Sequence, residues 1–279
     1  MGSEAAFPFV QFEFGFLLGP PDGRYVSRPR GEAEPEQVLV LRTQGAPQRG
    51  ALRGRRPRRR GRATAEPVPT SRATVVRATP FGSAGEAKAW LDSLRARKGG
   101  LDGEAAAAAA AVNRFLRAHR AASADPWARE VSPEQALVVR VGYGDGNRVA
   151  EGRYAAAYEL PRKRAPIRRR EDLAPAERLA AIVGGRDEQL ACEELVLRAR
   201  ADLDAGRPRE AALQARIALE AALAELGDEA AGLAADRAAL GDAANEALER
   251  DPPEALQTAV AEAVAHMEAA LRKRRLRQI

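Results

Sequence analysis

"FPFVQFEFGFLLGPPDGRYVSRP", Phe7–Pro29, decides how the first half of the chain must fold. Val10, Phe12, Phe14, Phe16 and Leu18 recur at every second position, with Gln11 and Glu13 among the residues between them. A period of two is the signature of a strand with one face turned to a core. Pro20, Pro21, Asp22 and Gly23 then form a strong turn signal, and Arg24 to Ser27 is expected to return as a hairpin partner. Five of the seven phenylalanines lie between Phe7 and Phe16, so large apolar groups are concentrated at this end of the chain.

Two further runs read as strands, "QVLVLRT" from Gln37 and "SRATVVRAT" from Ser71. The stretch between them, 44–70, is rich in Gly, Pro and Arg and lacks periodicity. It is expected to be a long disordered excursion between two paired strands. "SAGEAKAWLDSLRARKGG" follows with helical spacing: Ser83 is placed to cap it, with Glu86 three residues on, and Gly99–Gly100 stop it. A second helix is expected from Gly103 to about Ala122, through seven consecutive alanines that allow close approach of another backbone. A fifth strand is expected over Ala136–Val141, then a glycine turn and a helix through Ala157. Strands, then helices, then a further strand indicate an α+β class: a mostly antiparallel sheet with helices on one face.

"PRKRAPIRRR", Pro161–Arg170, interrupts this pattern with two prolines and six basic residues, and the rest of the chain has helical character. The expected organisation is an α+β domain over 1–160, a basic linker over 161–172, and an all-α helical bundle over 173–279 with a basic tail. Helices are expected near 173–184, 187–205, 208–226, 229–249 and 253–276. Leu197–Leu226 resembles the helical hairpins of tetratricopeptide-type and other helical-hairpin repeats without assigning the chain to any such family. It occurs once, whereas a solenoid needs about three such units, so a small bundle is expected.

The chain of 279 residues carries a net charge of +6, distributed unevenly. Residues 44–70, 161–170 and 272–277 hold 19 of its 45 basic side chains; the remainder carries 26 basic and 38 acidic groups. Basicity is thus concentrated in expected loops and a tail attached to a net-acidic body. Arg53, Arg55, Arg56, Arg58, Arg59, Arg60 and Arg62 of the loop, Arg168, Arg169 and Arg170 of the linker, and Arg274 and Arg275 of the tail are the candidate polyanion contacts. Such segments bind phosphate without sequence preference, by counterion release. The loop has no aromatic residue to stack on a base. The same arginines can also fold back on the acidic helices, or reflect drift: only four of the basic residues are lysine, and Ala, Gly, Pro and Arg abound, as expected of a bacterial, high-GC genome.

"VRVGYGDGNRVAEGR" supplies the candidate small-molecule site. Gly142, Gly144, Asp145, Gly146 and Arg148 follow a strand, where backbone amides can cradle a phosphate. The spacing is G-x-G-x-G, not the dinucleotide fingerprint G-x-G-x-x-G, and a tight turn explains it equally well. Arg114 and His119 read as a surface helix face, His266 has no companion in sequence, and Trp90 and Trp127 read as packing residues. One cysteine, Cys192, excludes a disulfide within the chain and reads as a small core residue. No zinc spacing, nucleophile elbow or phosphate-loop lysine is present, so neither metal nor cofactor is expected. With no signal segment or membrane span legible, the expectation is a cytoplasmic binding or scaffold protein. Its helical half would contact a protein partner or a second copy, and its arginine segments would add polyanion contacts. Phosphorylated-ligand binding at the glycine turn, with or without catalysis, and non-specific nucleic-acid binding are the alternatives.

Overall fold

The computed structural model describes residues 5–28, 33–45, 68–161 and 173–277. The chain divides into two compact units, Met1–Arg164 and Ala165–Ile279.

The first unit is an α+β layer. Its strands are β1 (Ala6–Phe14), β2 (Gly23–Ser27), β3 (Gln37–Gln44), β4 (Thr70–Arg77), β5 (Ala136–Asp145) and β6 (Ala156–Glu159), with helices α1 (Ala84–Ala96) and α2 (Gly100–Ser123) between β4 and β5. The strands form one sheet in the order β2-β3-β4-β1-β5-β6, antiparallel throughout. The apolar alternation of β1 puts Val10, Phe12 and Phe14 on the helix side, opposite Val75 and Ala73 of β4 and Val141 and Val139 of β5. Leu91 and Leu94 of α1 and Ala105, Ala108, Val112 and Leu116 of α2 cover that face. Ser83 caps α1 by accepting from the Glu86 N–H at 3.1 Å, while Glu86 accepts from Gly82.

β1 and β2 do not form the expected hairpin. Both edges of β1 are occupied, by β4 and β5, and β2 pairs with β3 at the rim of the sheet. The Pro20–Gly23 turn does reverse the chain, but it carries it past β4 and β3, so that β2 runs antiparallel to β1 without touching it. Leu18 N–H donates to Ser71 Oγ of β4 at 3.1 Å, and Asp22 Oδ1 accepts from both N and Oγ1 of Thr43 on β3 at 2.8 Å. β1 ends at Phe14, so Phe16 lies beyond the sheet, 42% exposed.

The face of β1 opposite the helices is also covered, which alternation alone does not reveal. The segment after β5 lies over it, and Val149 packs with Phe9 and Val76. Gln11, fully buried, donates from Nε2 to Thr74 Oγ1 at 3.0 Å and to the Val149 carbonyl at 3.1 Å. A buried amide needs such partners. Glu13 on the same face accepts from Arg72 at 2.9 Å and Arg140 at 2.8 Å. Burial pushes its carboxyl up, but these two guanidinium hydrogen bonds and charges prevail and hold it below its ordinary value.

The second unit contains α3 (Leu173–Val183), α4 (Ala191–Asp204), α5 (Pro208–Glu225), α6 (Arg237–Glu249) and α7 (Glu254–Arg277). Its core is built on alanine seams: Ala199, Ala211, Ala212, Ala215, Ala218, Ala222, Ala243 and Ala247 are buried, with Leu219, Leu240, Val264 and Met267 between them. Arg200 of α4 and Glu268 of α7 form a bidentate pair at 2.8 and 2.9 Å, and Arg209 donates to the Ala247 and Leu248 carbonyls at the end of α6. The expected 229–249 helix begins only at Arg237. Gly227 and Gly232 have φ of 56° and 94°, and two short 3₁₀ turns, Gly227–Ala230 and Leu233–Asp236, precede it. α4 begins at Ala191, not 187, because Leu190 is extended and its N–H donates to Glu193 at 3.2 Å.

Candidate functional site

Gly142 and Gly144 lie inside β5, not at a junction between strand and helix. Gly142 stands opposite Phe9 of β1 and Ala157 of β6, and Gly144 opposite Phe7. Beyond β5 the chain forms a 3₁₀ turn, Val149–Glu151, and then β6, in place of the expected helix through Ala157. A side-chain carbon on Gly142 would fall 2.2 Å from the Ala156 carbonyl oxygen, and one on Gly144 would fall 2.9 Å from Val149 Cγ1. Neither residue, nor Gly146, has a positive φ. These glycines therefore serve close approach: they let β6 and the returning segment lie against β5. At the turn itself, Asp145 Oδ1 accepts from the Asn147 N–H at 3.0 Å and Oδ2 pairs with Arg148 Nε at 3.3 Å. A carboxylate of the chain thus engages an amide and a guanidinium that an incoming phosphate would need.

Of the arginine candidates, Arg53, Arg55, Arg56, Arg58, Arg59, Arg60, Arg62, Arg168, Arg169 and Arg170 lie outside the described residues. Arg274 and Arg275 turn back onto the helical unit: Arg274 Nη1 donates to the Glu225 carbonyl at 3.4 Å and Arg275 lies 3.5 Å from Glu193. They join an interlocked group. Arg178 of α3 donates to Asp187 at 3.1 Å and to Glu193 at 2.8 Å. Glu193 is 5% exposed. Burial raises its pKa, and the Arg178 hydrogen bond, the Leu190 N–H and the neighbouring positive charges more than reverse this. Cys192 beside it is fully buried, and desolvation followed by the Glu225 carboxylate pushes its thiol up to about 12.

Arg114 pairs with Glu36 at 3.6 Å, and His266 Nδ1 lies 2.9 Å from Asp236 Oδ2. Trp127 is 77% exposed and so does not pack as expected, whereas the Trp90 ring packs on Phe81 at 5.4 Å. Among the described residues no three His, Cys, Asp or Glu side chains are grouped to hold a metal ion, and no helix is long and apolar enough to cross a membrane.

A cleft of about 470 Å³ lies in the first unit, between α2 and the sheet. Val10 and Val75 form its floor with Ala108 of α2. Arg77 reaches it from β4, hydrogen-bonded to Glu104 and 6.0 Å from the Trp90 ring; Arg114 and Glu36 lie along its length. The alanine run that suggested close packing has left this space open, because positions 107, 108 and 110 carry nothing larger than a methyl group. The signal in the sequence was that run ending three residues before an arginine on the same helix. Compared with protein-family models, with curated proteins and with solved structures, the chain matches none.

Proposed function

We propose that the chain is a binding protein without catalytic chemistry, whose helical unit associates with a second copy of itself. The observation that carries this reading is α3. Its sequence, LAPAERLAAIV, has two charged residues in eleven. None of its described side chains joins the core of the helical unit. Leu179 and Val183, one helical turn apart, are 63% and 79% exposed. The helix is held from its polar side, by Arg178 on Asp187 and Glu193. An apolar stripe presented to water on an anchored helix is the kind of surface that protein association covers. Two-fold pairing would cover the same stripe on both copies, the self-complementary arrangement of closed dimers. The arginine-rich segments 44–70 and 161–172 would add salt-sensitive, sequence-independent contacts to polyanions.

The test is sedimentation equilibrium on the full chain and on the double variant Leu179→Asp, Val183→Asp. Concentration-dependent dimerisation that the double variant loses, with its helical circular dichroism intact, supports the reading. A chain that stays monomeric at every concentration, or a dimer indifferent to the substitutions, overturns it.

A further inference from the structure

The cleft between α2 and the sheet belongs to the other unit and is independent of α3. We propose that it binds an amphipathic small molecule with an elongated apolar body and a single carboxylate head, the head held by Arg114. Its volume of about 470 Å³ falls within the range of small-molecule sites. Its shape follows from α2: Glu104 and Arg114 are ten residues apart, roughly 15 Å along a helix axis, and both line it. An elongated occupant fits that space better than a compact one. The floor offers little but carbon, since Val10, Val75 and Ala108 are each 4–6% exposed. Trp90, its ring tilted against Phe81, lines the same cleft near Arg77 and Glu104 and offers the occupant an aromatic wall there.

The two arginines are not equivalent. Arg77 is committed, hydrogen-bonded to Glu104 and set near the Trp90 ring. Arg114 is half-exposed and engages only Glu36 among the described residues, by an ion pair at 3.6 Å. Most of its donor fork is therefore available, and a guanidinium fork matches a carboxylate. The charge balance of the rim selects the head group further. Arg77 and Arg114 are matched by Glu36 and Glu104. A monoanion that takes Arg114 from Glu36 is tolerated there, whereas a phosphate dianion or a polyphosphate meets two carboxylates.

The test is calorimetric titration of the full chain with dodecanoate below its micellar concentration, alongside dodecanol and dodecyl phosphate. Saturable binding of dodecanoate is expected, weakened about tenfold or more by Arg114→Ala. Dodecanol should bind more weakly and be indifferent to Arg114→Ala, and dodecyl phosphate should bind no tighter than dodecanoate. Ala107→Leu, at an exposed position on the rim, should also weaken binding without lowering the melting temperature. Absence of saturable dodecanoate binding, or affinity unchanged in either Arg114→Ala or Ala107→Leu, overturns the proposal. Tighter binding of dodecyl phosphate overturns the choice of a carboxylate head.

Discussion

Arg178 on α3 donates to the carboxylate of Glu193 on α4 at 2.8 Å, and Glu193 is the one charged residue, among those described, that is almost fully out of water. Removing the guanidinium leaves that carboxylate with Arg275 at 3.5 Å and the Leu190 N–H. Breaking a buried pair from one side is strongly destabilising, and the residual partners soften it here. Arg178→Ala should cost about 2 kcal/mol in urea unfolding of the helical unit, and Glu193→Gln about 1 kcal/mol. Amide exchange over residues 176–185 should rise in Arg178→Ala. An unchanged midpoint would show that α3 is held by something else.

Acid should act through the same carboxylates. Glu193 and Glu13 are each raised by burial and lowered further by arginine hydrogen bonds, and Glu268 is lowered chiefly by Arg200; all three end below 4.5. The unfolded chain therefore binds more protons than the folded one through that range. The stabilisation is complete above the ordinary carboxylate value and is lost as pH falls through the lower folded values. Unfolding free energy should be flat from neutral pH down to about 5 and then decline, the acid limb becoming shallower in Glu193→Gln and Glu13→Gln.

One glycine of β5 and one of α2 give a paired test. Gly142→Ala places a carbon 2.2 Å from a carbonyl oxygen, so β6 must move away and several kcal/mol of stability should be lost. Gly103→Ala, in α2, meets nothing within 4 Å and should stabilise by about 0.5–1 kcal/mol. Thermal melts of the two variants should move in opposite directions.

Cys192 should be inert in the native protein. With its thiol near 12 and fully buried, the thiolate is almost absent at neutral pH. Ellman's reagent should report no reaction in native buffer and one equivalent in denaturant. Stoichiometric reaction within minutes under native conditions would mean that α4 opens readily.

The α+β class was legible because β1 alternates so plainly, and β3 and β4 pair as their composition suggests. What alternation could not convey was the second covering of β1. Gln11 and Glu13 fall between the apolar positions of the stripe, and nothing local shows that Gln11 is buried beneath Val149, more than a hundred residues away in the chain. The same limit explains the misplaced β2. A local turn signal says that the chain changes direction, not which strand it meets next, and the deciding bonds, Leu18 to Ser71 and Thr43 to Asp22, are all non-local. The glycines of β5 were noticed for the right residue type, but their reason is steric and becomes visible only with β6 in place. The cleft was hidden for an opposite reason: seven alanines describe equally a tight contact and an unfilled gap.

The central place of β1 sets a schedule for folding. On a ribosome this strand emerges well before either neighbour, since β4 begins at Thr70 and β5 at Ala136. During that interval a segment with five phenylalanines in ten residues has no partner for its backbone or its side chains. Contacts so distant in sequence close slowly, and an unpaired apolar strand is a target for intermolecular pairing. Slowing translation between residues 14 and 70 should therefore raise the yield of aggregated chain, while the same delay placed after residue 145 should leave it unchanged.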